Sequence, residues 1–267
     1  MSLRILSEWI HAHCGINYMD NLLLLESKVA RRLCELGITL PEYMEYINRH
    51  KEEWVPLVEC ITINETYFFR EEAQLNELCN VILPEWKQRP RIRIWSAACS
   101  TGEEPYSIAM MIAEQGHIPL ERVSITGTDI NRKVLQFARQ GCYPKQSLCF
   151  RRTSSEMLNS YFHLEGDKYQ VNERIRNQVE FRPLNLVQDI GKMERVDIIF
   201  CRNVLIYFDE ETTRRIIGHF YDRLNPGGYL FLGHAETILG INTDFETVNA
   251  PNTYYYRKKE GSTRRII

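Results

Sequence analysis

The chain has 267 residues, enough for one large α/β domain and a smaller companion. Its hydrophobic fraction of 44% and charged fraction of 25% are ordinary for a globular protein. A net charge of −2 and a sequence pI of about 6.4 exclude a global basic field for nucleic acid, so an acidic partner must meet a local basic patch. No apolar run approaches a membrane span and the first ten residues mix charged with apolar positions. We therefore expect no cleavable signal, no direct membrane insertion and a cytoplasmic location.

Helical periodicity dominates the first sixty or so residues, where strand-type alternation is almost absent. The pattern predicts helices over 19–36, 42–47 and 70–83. Gly37 ends the first of these helices, and Pro84 stops the last. These features predict a small helical domain over residues 1–70 and a linker helix over 71–90.

From residue 91 strands alternate with helices, and this region to residue 260 is the predicted main domain. The predicted strands cover 91–98, 123–128, 179–182, 196–201 and 229–233. The predicted helices cover 103–115, 131–140 and 210–224, and a turn is expected at 225–228. Such alternation predicts a doubly wound, mostly parallel sheet, which the segments 245–248 and 253–257 finish as an antiparallel hairpin.

A long segment interrupts this alternation before the strand at 179. It holds roughly forty residues, too many for a bare loop. The segments 161–163 and 168–171 predict a small β insertion at about 155–178, with a turn at Glu165-Gly166-Asp167.

The eight cysteines are scattered, with no Cys-x-x-Cys pair and no histidine cluster beside them. Most are interpreted as small apolar core residues of a reducing compartment. We expect no disulfide and no structural metal.

The strongest candidate site is the segment 96–107, which follows the first strand. Its small residues let a ligand approach the backbone, and the next helix offers free amide groups. A tight turn without a ligand explains the same residues, with Glu103 and Glu104 favouring the positive helix start. The lone Gly102 fails the G-x-G-x-x-G pattern of dinucleotide binding. Acidic residues there would repel a pyrophosphate and suit the cationic amino acid part of S-adenosylmethionine.

Polar residues also end two later strands. Asp129 follows 123–128, where a carboxylate can accept both ribose hydroxyls, or can cap the helix at 131. The buried strand 196–201 stops at Cys201-Arg202-Asn203, which faces a ligand or satisfies a turn. A fourth segment, 64–70, joins the two domains. Its aromatic residues suit a core, whereas Arg70 is placed to reach the cleft.

Five ordered segments resemble the CheR-type family, the chemotaxis enzymes that methylate receptor glutamates, and the resemblance spans nearly the whole chain. They are Asn64-x-Thr66-x-Phe68-Phe69-Arg70, 96–107, Thr128-Asp129-Ile130, Cys201-Arg202-Asn203-Val204-x-Ile206-Tyr207-Phe208 and Leu232-Gly233-His234-x-Glu236. The resemblance implies the Rossmann-like S-adenosylmethionine-dependent methyltransferase fold and methyl transfer to glutamate carboxylates of bacterial chemoreceptors. The implied cofactor-binding positions are Asn64, Thr66, Arg70, Glu104, Asp129, Asn185, Leu186, Asn203 and Val204. Arg70 and Tyr207 are implied to lie nearest the transferred methyl group.

The implied partner is the acidic cytoplasmic helical bundle of the chemoreceptors, which the protein would meet at membrane-bound receptor arrays. Lys28, Arg31 and Arg32 share a face of the first predicted helix and are expected to dock there, although a solvated helix surface explains them too. The β insertion is short and holds one glycine. It resembles the family branch that acts independently of a receptor C-terminal pentapeptide. Nothing predicts an assembly beyond a monomer.

Other classes of protein are less consistent with these motifs. Nucleic-acid amine methyltransferases often carry an Asn-Pro-Pro-Tyr-type segment where this chain has Cys201-Arg202-Asn203-Val204, and the acidic pI also disfavours them. A nicotinamide oxidoreductase lacks support without the glycine pattern. A non-catalytic module that binds the cofactor could lose Arg70 or Tyr207, and both are present.

Overall fold

The structure is a computed structural model that describes residues 2–188, 190–241 and 244–260. Its N-terminal part is helical, with α1 Ser2–Cys14, α2 Leu22–Leu36, α3 Leu40–Arg49 and α4 Trp54–Ile61. Asn21 caps α2 by accepting a hydrogen bond from the Leu24 backbone, and Gly37 ends it in the left-handed conformation. The apolar faces of these helices enclose a core of their own, which includes Leu6, Ile10, Leu25, Tyr43 and Ile47.

The linker helix continues through Pro84, so the prediction that proline stops it at residue 83 was wrong. Helix α5 Glu72–Glu77 runs into a π-helical turn, Leu78–Ile82, and then into α6 Leu83–Glu85. The Leu83 N–H donates to the Leu78 carbonyl, five residues back. This wider turn relieves the clash between the proline ring and the carbonyl four residues earlier, and it tolerates the missing proline N–H.

The second part of the chain alternates strands and helices, as expected. The strands are β1 Ile92–Ala97, β2 Val123–Asp129, β3 Cys142–Pro144, β4 Phe162–Glu165, β5 Lys168–Val171, β6 Val179–Pro183, β7 Val196–Cys201, β8 Leu224–Leu232, β9 Phe245–Ala250 and β10 Thr253–Lys258. The helices are α7 Glu103–Gln115, α8 Arg132–Gln140, α9 Ser155–Tyr161, α10 Glu173–Arg176 and α11 Glu210–Arg223.

Seven of these strands form one sheet in the order β6-β2-β1-β7-β8-β10-β9. The first five are parallel, and β10 runs antiparallel to both β8 and β9. The predicted parallel sheet with an antiparallel final hairpin is therefore confirmed. Apolar clusters cover both faces of the sheet, as a doubly wound arrangement requires. Within the described ranges, no helix is both long and apolar enough to cross a membrane.

Strand β8 begins earlier than predicted. Residues 225–228, expected as a turn, lie inside it but do not follow the regular pairing with β7. Val196 pairs with Leu224 and Ile198 with Tyr229, so four residues of β8 stand against one of β7. The turn-forming Asn225-Pro226-Gly227-Gly228 sequence is accommodated as an irregularity within the strand.

The predicted β insertion is a small antiparallel sheet in the order β3-β5-β4. Strands β4 and β5 form the predicted hairpin. Strand β3 lies upstream of the predicted range 155–178 and pairs with β5 through Cys142 and Gln170. Its three residues are too few for a two-residue alternation to be visible in the sequence.

Candidate active site

A cavity lies at the carboxyl ends of β1, β2, β6 and β7, where the helical domain closes over the sheet. Polar residues at the ends of adjacent parallel strands meet at one edge, which is the usual ligand site of open α/β sheets. Every position that the sequence indicated for the cofactor or the methyl group lines it, namely Asn64, Thr66, Arg70, Glu104, Asp129, Asn185, Leu186, Asn203, Val204 and Tyr207. The helical domain adds walls that the sequence did not indicate, including Tyr18, Ile61 and Thr62.

The loop after β1 is held in an unusual backbone conformation. Ala98 and Ser100 have positive φ angles of 58° and 51°, although neither is glycine. The Ser100 backbone N–H donates to Asp129 Oδ2 at 2.9 Å, and its hydroxyl donates to the Asn64 carbonyl at 2.9 Å. These contacts offset the conformational cost of the two positive φ angles. Backbone strain of this kind is typical of ligand-binding loops.

Asp129 is buried at the end of β2. Its Oδ2 accepts from Ser100, and its Oδ1 accepts from the Asn131 backbone N–H at 2.8 Å. Burial raises the pKa of Asp129 to about 6, because desolvation outweighs these backbone hydrogen bonds. The Asn131 side chain, rather than Asp129, caps α8 by accepting from the Lys133 and Val134 backbones. Asp129 therefore lines the cavity instead of serving as the cap.

Glu104 does not present a bare negative charge at the start of α7. Arg202 Nε donates to Glu104 Oε2 at 2.6 Å, and the Ser96 hydroxyl donates to Oε1 at 2.5 Å. The Arg202 side chain is only 1% exposed, and its Nη1 also donates to the Arg70 carbonyl at 2.7 Å. The sequence assigned the Glu104 charge to a cationic ligand, whereas the protein itself supplies a buried guanidinium. This role of Arg202 was missed, although an arginine directly after an apolar strand is a visible signal.

Glu103 faces the interior rather than the cavity. It is 3% exposed, and its Oε2 accepts a hydrogen bond from the Thr101 hydroxyl at 2.7 Å. Burial raises the pKa of Glu103 to about 7.

Arg70 lies between two residues with left-handed backbones, Phe69 and Glu71, with φ angles of 59° and 52°. Its Nη1 donates to the Glu65 carbonyl at 3.3 Å, and its guanidinium lies 5.4 Å from the centre of the Tyr67 ring. Among the described residues, no carboxylate pairs with Arg70. The guanidinium is therefore available to an anionic group that enters the cavity.

The aromatic residues of this segment pack mainly in the core, as the sequence favoured. Phe68 and Phe69 are both buried in the cluster on one face of the sheet. Phe68 packs edge-on against Tyr143 and Phe162. These contacts anchor the turn that carries Arg70.

Tyr207 lies in the loop after β7, which contacts the helical domain. The Asn17 backbone N–H donates to the Tyr207 carbonyl at 2.9 Å, and Ile16 forms a β-bridge with Phe208. His11 Nε2 lies 2.7 Å from Asp209 Oδ2. Burial raises the pKa of Tyr207. The helical domain thus fixes the loop on which Tyr207 lies.

Asn185 and Leu186 follow β6. The Asn185 Nδ2 donates to the His13 carbonyl at 2.8 Å, and its Oδ1 accepts from the Val187 backbone at 3.0 Å. Leu186 is buried in the apolar cluster on the second face of the sheet. Asn185 therefore ties the end of α1 to the main domain as well as lining the cavity.

The three cations expected to dock a receptor have different surroundings. Arg32 makes a two-point contact with the buried Glu53, at 2.7 and 2.8 Å, and Lys28 donates to the Thr62 carbonyl at 3.2 Å. Arg31 pairs with Glu35 at 2.8 Å, and its side chain remains 77% exposed. Of the three, Arg31 presents its charge most fully to solvent.

The cavity residues fit a bound S-adenosylmethionine. Asn203 has a φ of 59°, and its Oδ1 is buried without a hydrogen-bond partner in the described part of the chain. An orphaned buried acceptor at a cavity wall is expected where a ligand supplies the donor. Asp129 adds a carboxylate at the neighbouring strand end, suited to ribose hydroxyls.

The parallel sheet, its antiparallel final hairpin and the cavity at its carboxyl edge define a methyltransferase of the Rossmann-like class. Residues 64–254 match the family described as CheR methyltransferase, SAM binding domain. The chain belongs to this family.

The chain is similar in sequence to proteins named as chemotaxis protein methyltransferases. Chemotaxis protein methyltransferase 2 of Vibrio cholerae serotype O1 is 41% identical over 222 residues, which are 79% of this chain and 76% of that protein. The chemotaxis protein methyltransferase of Vibrio parahaemolyticus is 37% identical over 265 residues, 96% of each chain. A solved structure, the N-methyltransferase NodS of Bradyrhizobium japonicum in complex with S-adenosyl-L-homocysteine, aligns at 17% identity with a TM-score of 0.43. That alignment covers 74% of this chain and 90% of that one.

Proposed function

We propose that the protein transfers the methyl group of S-adenosylmethionine to glutamate side-chain carboxylates of bacterial chemoreceptors, on the cytoplasmic side of receptor arrays. The observation that carries the proposal is the position of the Arg70 guanidinium. Arg70 lines the cofactor cavity with no carboxylate partner among the described residues, so it can receive the carboxylate of an acceptor. Membership of the chemotaxis methyltransferase family supports the same acceptor.

The residues of the cavity have distinct roles in this proposal. Asp129, Asn203 and Val204 hold the cofactor, which supplies a methyl group activated by a positively charged sulfur. Arg70 orients the acceptor carboxylate, and Tyr207 lines the path to the methyl group. Correct alignment of such reacting groups lowers the barrier by several kcal/mol.

The chemistry needs no general base. A glutamate carboxylate, with an ordinary pKa of about 4.3, is already ionised at neutral pH. Glu104 is hydrogen-bonded to Arg202 and Ser96, and Asp129 accepts two backbone hydrogen bonds, so both of these carboxylates already have structural partners. The arrangement therefore suits a carboxylate acceptor better than an amine, which must lose a proton.

The test is transfer of radiolabelled methyl from S-adenosylmethionine to chemoreceptor-containing membranes, followed by mild alkali. We expect volatile labelled methanol, which is diagnostic of a carboxyl methyl ester. Alkali-stable label would identify a nitrogen acceptor instead. Absence of label in a protein that binds the cofactor would favour a non-catalytic signalling module.

We also propose that docking to receptors does not require their C-terminal pentapeptide. The short β4–β5 hairpin supports this, because Glu165 and Lys168 pair directly across a two-residue turn at Gly166-Asp167. Titration of the protein with a receptor tail peptide should give no saturable binding in the micromolar range. Micromolar affinity would contradict the proposal.

A further inference from the structure

The segment Leu232-Gly233-His234-x-Glu236, at the end of β8, has no role in the site described above. Its Glu236 is 4% exposed, yet within the described ranges no lysine, arginine or histidine pairs with it. Four backbone N–H groups donate to its carboxylate instead. Oε1 accepts from Val204 and Leu205, both at 2.8 Å, and Oε2 accepts from Asn203 at 2.8 Å and Gly233 at 2.7 Å.

These donors belong to two separate segments. Three lie in the loop after β7, and the fourth lies at the end of the neighbouring strand β8. A buried carboxylate is unfavourable unless hydrogen bonds replace its hydration, and four N–H groups do so here. Glu236 therefore ties the loop after β7 to the end of β8.

The contact fixes an unfavourable backbone conformation. Asn203 has a φ of 59°, which is costly for a residue other than glycine. Gly233 packs so closely that a Cβ there would lie 2.7 Å from Asn203 Nδ2 and 2.8 Å from Glu236 Oε2. Both features place Asn203 at the cavity wall, where its Oδ1 has no hydrogen-bond partner in the described part of the chain.

We propose that Glu236 is a positioning residue for the cofactor, an inference that rests on the proposed use of S-adenosylmethionine. Its carboxylate holds Asn203, Val204 and the turn Leu205–Tyr207 where they would contact the amino acid end of the ligand. The sheet order supports the assignment of Asn203 to the amino acid end of the ligand. Strand β7 carries Asn203 on one side of β1, whereas β2 carries Asp129 on the other side. A ligand whose ribose bound Asp129 would have to extend towards β7 to reach Asn203.

The test compares S-adenosylhomocysteine with 5′-methylthioadenosine, which lacks the amino acid end, by calorimetric binding. In Glu236→Gln, an amide N–H₂ would face two of the backbone donors, so the loop would lose its conformation. We expect the affinity for S-adenosylhomocysteine to fall about tenfold. The affinity for 5′-methylthioadenosine should stay within about twofold of wild type, because the adenosine contacts lie elsewhere.

Glu42→Gln is the matched control. Glu42 also accepts from a backbone N–H, that of Thr39, but it lies at the start of α3 and is not among the described residues that line the cavity. It should leave both affinities unchanged. If Glu236→Gln does not fold, Gly233→Ala disturbs the same contact from β8 and should give the same selective loss.

Equal loss of both ligands in a folded variant, or loss of neither, would overturn the role of Glu236. If the wild-type protein does not methylate receptors but Glu236→Gln shows the expected selective loss of affinity, the proposed acceptor is overturned and the role of Glu236 is supported. A wild-type protein that binds neither ligand would overturn the cofactor and the positioning role together.

Discussion

At the scale of single residues, left-handed backbone conformations surround the proposed reacting centre. Phe69 and Glu71 flank Arg70, and Asn203 lies in the loop that leads to Tyr207. Such conformations persist only where neighbouring contacts over-determine them. Arg202 supplies one such contact, because its guanidinium holds the Arg70 carbonyl while it pairs with Glu104.

The proposed roles of Arg70 and Tyr207 predict different losses. Arg70→Ala should lower kcat for receptor methylation about 100-fold, because the acceptor carboxylate loses its orienting cation. Tyr207→Phe should lower kcat by less than about threefold, far below the 100-fold or greater cost of losing a general base. Steady-state methyl transfer measures both. Unchanged kcat in Arg70→Ala, or a large loss in Tyr207→Phe, would contradict these assignments.

The buried Glu103 predicts a pH-dependent change in stability. Its folded pKa of about 7 lies above the ordinary value of 4.5, so its stabilising contribution is complete below pH 4.5 and is lost as pH rises to 7. Glu103→Gln stays neutral and can still accept from Thr101. Its free energy of unfolding should rise relative to wild type by roughly 3 kcal/mol between pH 4.5 and pH 8. Urea unfolding at both pH values tests this, and a constant difference would contradict it.

At the scale of elements, the carboxyl end of strand β2 predicts a pH-dependent affinity for the cofactor. Ionised Asp129 is the better acceptor for ribose hydroxyls, and its pKa is about 6. The affinity for S-adenosylhomocysteine should be constant above pH 7 and fall at most about tenfold per unit below pH 6. Calorimetry from pH 5 to pH 8 measures this. Asp129→Asn should bind weakly and without this dependence, and a retained slope in that variant would assign the proton to another group.

Elements with local signals could be predicted from the sequence. Helix α7 matches its prediction, because Gly102 and Gly116 delimit it, and β7 matches because polar residues end its apolar run. The three-residue β3 and the π-helical turn before Pro84 lack such a signal. Their conformations depend on pairing and packing with distant segments.

The candidate site shows the same limit. The motifs indicated residues that line one cavity, but the hydrogen-bond partners of those residues could not be predicted from the motifs. Arg202 meets Glu104 across 98 positions of sequence, and Glu236 meets Asn203 across 33. Pairings at such separations are defined by the strand order β2-β1-β7-β8, which local periodicity does not specify.

At the scale of the whole molecule, we propose that Arg31, the most exposed of the three cations expected to dock a receptor, contacts the acidic receptor surface. Arg31→Glu should lower kcat/KM for receptor methylation about fivefold at low salt, and less at high salt, because it reverses a charge facing an acidic partner. Receptor-titrated methylation at two salt concentrations measures this. The affinity for S-adenosylhomocysteine should not change.

Arg49→Glu is a matched control for charge. Arg49 pairs with Glu45 on α3 as Arg31 pairs with Glu35 on α2, and both arginine side chains are about equally exposed, at 74% and 77%. An equal loss in the two variants would show a general charge effect rather than a contact at α2. Arg32→Glu is less informative, because it would leave the buried Glu53 facing a second carboxylate.

The helical domain forms one wall of the cavity, which has a consequence for chimaeras that exchange this domain between family members. Tyr18 and Ile61 line the cofactor cavity, and the β-bridge between Ile16 and Phe208 joins the same domain to the loop of Tyr207. A chimaera that takes its first 61 residues from another family member therefore receives a new wall of the cavity as well as a new outer surface. The proposed receptor-docking surface and one wall of the cavity would therefore change together in such a chimaera.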